Sequence, residues 1–265
     1  MAPPPAPVAA SVTLRSPVVV PIFEAMPKDG GDATPAFNAA AEAGCTSPST
    51  RSLHIPAGTY TFRTPPAQIN CALSVIGEGK GATTLVRAYN GGRFLVWGRG
   101  TDQSGGGLRD MSIAADTGTN GGTAVLIIAT VDADDTVNSY NRHSFFIDNV
   151  QVGRQAVDNT SWDYGLYLDG SANDNGDPKL APGIRGIYVD RSSFGGTRVA
   201  NVYLNKARGV VFKGECYTPL NGSVALVSAE NKTSSVLMES RNCTLRSLDH
   251  TATDLRVVTT STLIP

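Results

Sequence analysis

Six short stretches decide the fold of this chain: Thr123-Ala124-Val125-Leu126, Phe145-Phe146-Ile147-Asp148, Leu166-Tyr167-Leu168-Asp169, Ile187-Tyr188-Val189-Asp190, Val210-Val211-Phe212-Lys213 and Val236-Leu237-Met238-Glu239. Each follows a small residue, at Gly122, Ser144, Gly165, Gly186, Gly209 and Ser235, in steps of 22, 21, 21, 23 and 26. Successive side chains of a strand point to opposite faces. In the last five stretches one set is wholly apolar: Phe145/Ile147, Leu166/Leu168, Ile187/Val189, Val210/Phe212 and Val236/Met238. The other set joins an aromatic or aliphatic residue to a charge: Phe146/Asp148, Tyr167/Asp169, Tyr188/Asp190, Val211/Lys213 and Leu237/Glu239. Inward and outward columns that recur at matching offsets belong to a stack of coils, and an ordinary β-sandwich does not produce them. The period fits one coil of a parallel β-helix holding two or three short strands. A leucine-rich repeat would need Leu and Asn at fixed offsets, and these are missing. Further strands follow in the later coils, at 201–205, 223–228 and 255–259.

Upstream of the repeat the chain reads as one helix and then more strands. In Asp32-Ala33-Thr34-Pro35, Thr34 is a suitable N-cap and Pro35 suits the first helical position, while Gly44 suits a left-handed stop. Short apolar runs at 52–56, 59–62, 73–77, 83–88, 93–98 and 108–114 are punctuated by Gly, Pro or Asn, as strands are. Residues 1–20 carry prolines at 3, 4, 5, 7 and 17. Such a segment favours extended conformations and cannot pack on itself. The expected organisation is therefore an extended arm over 1–20, a tether or virion-attachment segment, and one β-helix domain over 21–265.

Composition narrows the classes. The chain has 265 residues, 41% of them hydrophobic, which supports a sizeable core. Lys and Arg number 22 against 23 Asp and Glu, so a strongly basic nucleic-acid binder is not expected. No apolar run is long enough to span a bilayer. The first twenty residues lack the basic start of a secretory leader. The four cysteines are too few and scattered for a disulfide scaffold. Cys216 lies 7 residues after Gly209 and Cys243 lies 8 after Ser235, on neighbouring coils. They read as stacked buried thiols. A disulfide there, or between Cys45 and Cys71, is left open. The Gly77-Glu78-Gly79-Lys80-Gly81 loop lacks the spacing of a phosphate-binding loop; its glycines read as tight corners with positive φ.

Three motifs resemble the pectate-lyase-like superfamily segment that opens many phage tailspikes. They are Ile55-Pro56-Ala57-Gly58-Thr59-Tyr60, Ile76-Gly77-Glu78-Gly79-Lys80-Gly81-Ala82-Thr83, and Gly107-Leu108 through Ile113. The likeness covers about 22–115 and departs from the family at Asp29-Gly30-Gly31-Asp32, where a longer acidic stretch is usual. It implies a right-handed single-stranded parallel β-helix with a capping helix, a homotrimer, and a role as a bacteriophage spike or tail-fibre component. That role is structural, with adhesion to host-surface polysaccharide. A virion location is implied, with a secreted carbohydrate-binding protein as the other reading. The hydrolase-branch signatures of the superfamily are absent, and the residues at His54, His143 and His250 do not supply them.

The outward columns supply the candidate site. If coils stack in register, neighbouring carboxylates lie about 5 Å apart at the backbone and those two coils apart about 10 Å. Those spacings overlap the windows of glycoside hydrolases. Asp169 and Asp190 are the pair that a polysaccharide depolymerase, the alternative function, would use. Asp148, Glu239 and Lys213 stand beside them, and Arg191 offsets the repulsion. The bland reading is a solvated charged face. The row Phe146, Tyr167, Tyr188, Val211 and Leu237 is either a seam between three copies or, through its aromatics and Arg191, a platform for sugar rings. Asp169, Asp174 and Asp177 could hold Ca²⁺, but their spacing is not that of an EF-hand and the stretch reads as a polar loop. No metal or other cofactor is expected.

Overall fold

The computed structural model describes residues 31–46, 52–98, 105–128, 145–153, 162–170, 184–205, 207–217, 226–230, 234–239, 242–247, 255–257 and 262–264. The arm at 1–20, Asp174, Asp177, His143 and His250 lie outside the described residues. One helix, α1 (Thr34–Thr46), precedes a right-handed parallel β-helix. The first coil carries β1 (Ser52–His54) and β2 (Gly58–Phe62). The second carries β3 (Ser74–Ile76), β4 (Thr83–Arg87) and β5 (Arg93–Trp97). Six coils of two strands follow: β6 (Gly107–Ala115) with β7 (Thr123–Ile128), β8 (Phe145–Val152) with β9 (Trp162–Asp169), and β10 (Ile184–Phe194) with β11 (Thr197–Asn205). The last three are β12 (Ala207–Cys216) with β13 (Leu226–Glu230), β14 (Ser234–Met238) with β15 (Thr244–Ser247), and β16 (Leu255–Val257) with β17 (Thr262–Ile264).

Among the described residues every strand pairing is parallel, each strand lying on the equivalent strand of the next coil. One sheet runs β1-β3-β6-β8-β10-β12-β14-β16, with β2 and β4 attached through β6. The other runs β5-β7-β9-β11-β13-β15-β17. β6 pairs with β3 over Gly107–Arg109 and with β4 over Ser112–Ala115. The first sheet therefore bends within β6, and the bend falls at Asp110, whose φ is 52°. Asn149 (φ 54°) and Arg191 (φ 45°) repeat the corner in β8 and β10. Asn and Asp enter this left-handed region with modest strain; an arginine there is rarer. The Asn149 amide donates to the Asp110 carboxylate at 2.6 Å, so the corners also stack side chain on side chain.

The inward column is as the alternation predicts. Ile147, Leu166, Leu168, Ile187, Val189, Val210, Phe212, Val236 and Met238 are all buried. Each contributes roughly 1.5–3 kcal/mol of burial before chain entropy is counted. At the N-terminal end the interior is aromatic: Phe37 of α1 meets Phe62, Phe62 meets Phe94, and Phe94 meets Trp162, with ring centres 5.5, 5.1 and 5.9 Å apart. The Arg87 guanidinium is buried 4.0 Å from the centre of the Trp162 ring and donates to the Gly121 carbonyl.

The repeat is not quite the one that the 21-residue steps imply. β9 belongs to the second sheet, whereas β8, β10, β12 and β14 belong to the first. Phe146 is register partner of Tyr188, 42 positions on, and Tyr188 of Val211, 23 positions on. The steps through Gly122, Ser144, Gly165 and Gly186 thus alternate between sheets, and only the later steps of 23 and 26 count whole coils. Both sheets bury their inner face against one interior, so strands from either carry the same alternation.

Other local expectations are also corrected. The capping oxygen of α1 comes from Asp32, which accepts from the Thr34 and Arg63 amides at 3.0 and 3.1 Å. Gly44 is helical; it keeps α1 seated on Leu73, whose Cδ1 would lie 2.7 Å from an added Cβ. Gly77 does not have positive φ, unlike Gly79 and Gly81. It is required because a Cβ would lie 2.3 Å from the Asp110 carbonyl oxygen. The cysteines are not thiols: Cys45–Cys71 fastens the capping helix to the start of the second coil, and Cys216–Cys243 joins two neighbouring coils.

Two measurements check this packing. Replacing Cys216 and Cys243 together by Ala opens a closure spanning 27 residues and is expected to lower stability by about 3 kcal/mol, read from the urea midpoint under non-reducing conditions. At Asp32, burial pushes the carboxyl up, but hydrogen bonds from Thr34 and Arg63 outweigh it and hold the group below its ordinary value. A depressed carboxyl stabilises above its unfolded value of about 3.9 and loses that contribution as pH falls through the folded value. Asp32→Ala should cost about 1 kcal/mol at neutral pH, and its difference from the native chain should shrink below about pH 4.

Candidate functional site

The outer surface of the first sheet carries the candidate site. Its apolar row runs Phe146, Tyr188, Val211, Leu237 over β8, β10, β12 and β14, each the register partner of the next. Phe146 is 41% and Tyr188 43% exposed, while Val211 and Leu237 are half-buried. The two rings stack with centres 5.3 Å apart and planes 15° from parallel. The Arg109 guanidinium lies 5.7 Å from the centre of the Phe146 ring. The ring planes are thus turned toward one another along the solenoid axis.

Two residues further along each strand is the charged row. Asp148 pairs with Asp190 and Asp190 with Lys213 in register; the Glu239 amide donates to the Phe212 carbonyl, which sets Glu239 beside Lys213. These charges close on one another. Arg191 grips Asp148 with two hydrogen bonds, Nε at 2.9 Å and Nη2 at 2.6 Å. Lys213 Nζ lies 3.0 Å from Glu239. The hydrogen-bonded Asp148 carboxylate raises the Arg191 guanidinium above its ordinary value. The Arg191 amide donates to the Asp190 carboxylate, capping the left-handed corner. The loop at 77–82 reaches over this corner, and Lys80 Nζ donates to the Arg191 carbonyl. Burial there lowers the Lys80 ammonium below its usual range.

Tyr167 and Asp169 do not join these rows. They lie on β9 in the second sheet, where Tyr167 pairs with Leu126 and Tyr203, and Asp169 with Ile128 and Asn205. Asn205 donates its side-chain amide to Asp169 at 3.1 Å. The Asp169/Asp190 couple therefore does not exist as a neighbouring carboxylate pair. Tyr167 instead packs with Tyr164 and Tyr203, with centres 4.8–5.2 Å apart. Asp148 and Asp190 do lie on adjacent coils, but Asp148 is engaged by Arg191. Among the described residues no group of three or more His, Cys, Asp or Glu could hold a metal ion.

Sequence reasoning missed Arg109 and Lys80. Arg109 was legible in principle, because Arg109-Asp110 before Met111 matches Asp148-Asn149 before Val150 in position and polarity. Lys80 reaches its contact 111 residues along the chain, and no spacing announces it. No protein-family model, curated protein or solved structure matches the chain.

The stacked pair on the surface is open to measurement. In a double-mutant cycle, Phe146→Ala and Tyr188→Ala should couple by about 0.5–1.5 kcal/mol in chemical unfolding. Lys213→Ala with Glu239→Ala should couple by at most about 1 kcal/mol and lose that coupling in high salt.

Proposed function

We propose that this chain is a spike or tail-fibre component of a bacteriophage particle, structural in role and adhesive toward host-surface polysaccharide. In this reading it assembles as a homotrimer through the row Phe146, Tyr188, Val211 and Leu237. One observation supports the seam above all: an apolar row continues over four coils and stays open to solvent at Phe146 and Tyr188. A continuous apolar row that is open at two of its four positions supports an interaction surface. Of the flanking charges, Asp148 is paired with Arg191 and Glu239 with Lys213, while Asp190 accepts the Arg191 amide, so the row offers a partner chiefly apolar area. The stacked geometry favours a seam over a sugar platform, because the two rings already spend part of their faces on each other. Two disulfides suit a protein that works outside a reducing cytosol. The likeness of residues 22–115 to tailspike segments supplies the particle context, with residues 1–20 as the attachment arm; this step rests on analogy of fold.

The depolymerase reading has less support, since Asp169 and Asp190 lie on strands of different sheets and are not stacked neighbours. The test combines assembly and adhesion. Light scattering on the full chain should give three times the chain mass, and Phe146→Glu with Tyr188→Glu should give the single-chain mass with unchanged far-UV circular dichroism. A native chain that stays monomeric at micromolar concentration overturns the seam. Host polysaccharide retained at its original size on immobilised trimer supports adhesion, and loss of polysaccharide length would restore the enzyme reading.

A further inference from the structure

Two Asn-Gly-Gly triplets stack at the corner that leads from the first sheet into the second: Asn90-Gly91-Gly92 before β5 and Asn120-Gly121-Gly122 before β7. Asn followed by Gly is the dipeptide most open to intramolecular imide formation, since glycine leaves its amide nitrogen unhindered. The two copies differ in how their reacting groups are held. The Gly91 amide donates to the Asn120 carbonyl at 2.9 Å, and the Asn90 Oδ1 accepts from the Asn120 amide at 3.1 Å. The nucleophile of the first triplet is thereby engaged, and its side chain is held in place. In the second, Gly121 is buried but its amide makes no hydrogen bond among the described residues, and the Asn120 side chain is exposed with none either. The next coil does not supply one: Asp163 Oδ2 accepts from Gly122, one residue too far.

We infer that Asn120 is a site of spontaneous covalent modification, and that Asn90 is protected by its hydrogen bonds. Gly121 is buried in the closed turn, so the step runs when the turn opens: its nitrogen then loses its proton to solvent base and attacks Cγ of Asn120. A C–N bond forms, the bond to the side-chain nitrogen breaks, and ammonia leaves with a proton from water. Water then opens the five-membered imide at either carbonyl and leaves aspartate or isoaspartate. No oxidant or cofactor enters the balance. The consequence is local and structural. The Gly121 carbonyl accepts from the buried Arg87, and a Cβ on Gly122 would lie 2.1 Å from the Gly92 oxygen, so the closed corner has no room for added atoms. Isoaspartate adds a methylene to the backbone there and shifts the carbonyl that holds Arg87.

The test is ageing of the purified full chain in mildly alkaline buffer, followed by peptide mass spectrometry and isoaspartyl methyltransferase labelling. In the folded chain Asn120 should convert about tenfold or more faster than Asn90, about the worth of one engaged hydrogen bond. In the urea-unfolded chain both should convert at similar rates, because the protection is structural. The aged fraction should unfold at lower urea than fresh protein, and Asn120→Gln should abolish that drift. Equal conversion of the two asparagines in the folded chain would overturn the inference, as would an Asn120 that stays intact when folded but converts when unfolded.

Discussion

Register between coils is the constraint on which the rest of this protein depends. A parallel coil stack satisfies its backbone only if each strand lies on its equivalent, and the column of left-handed corners at Asp110, Asn149 and Arg191 fixes where β6, β8 and β10 bend. In β8 and β10 the strand before the bend presents the same face outward, and the register carries that face on to β12 and β14. The row Phe146, Tyr188, Val211, Leu237 and the charged row beside it follow from that geometry. The Asn149–Asp110 hydrogen bond and the close passage of Gly77 under the Asp110 carbonyl hold the corner where it is. A slip of one residue would bury Asp148 and Asp190 and expose Ile147 and Val189.

The two ends and the corner are reinforced by different means. At the N-terminal end α1 closes the interior with Phe37, and the Cys45–Cys71 bond ties the cap to the stack. Further along, Cys216–Cys243 crosses one coil spacing inside the packed column, where both sulfurs are buried. Between them, Arg87 places a cation inside the solenoid. Its cost is offset by the Trp162 ring and by the Gly121 carbonyl, which explains why a charged residue can occupy an inward position of β4. The same corner is where the second Asn-Gly-Gly triplet leaves the Gly121 amide without a hydrogen bond among the described residues. Stability and chemical lability thus meet in one turn.

On the outer face of the first sheet the structure redistributes the chemistry that the repeat suggests. Asp148 is held by Arg191 and Glu239 by Lys213, and the Asp190 carboxylate accepts from the Arg191 amide. Beside these charges runs the aromatic and aliphatic row, open to solvent at Phe146 and Tyr188. Tyr167, removed to the second sheet, belongs to a separate tyrosine cluster with Tyr164 and Tyr203.

The chain by itself determined the architecture, the inward column and nearly every strand, because burial on one face writes a period of two that survives without any tertiary information. It also placed the helix, though it assigned the cap to Thr34 rather than Asp32, since either side chain can supply an oxygen at that point. What it could not determine was which sheet each strand joins. Strands of both sheets face one interior and share one alternation, so Leu166-Tyr167-Leu168-Asp169 looked like a neighbour of Ile187-Tyr188-Val189-Asp190. Only the tertiary structure, by pairing Tyr188 with Phe146 across 42 residues, separated them. It likewise decided that the cysteines are bonded and that Asp148 is held by Arg191, because such pairings depend on distances between coils that sequence spacing does not encode.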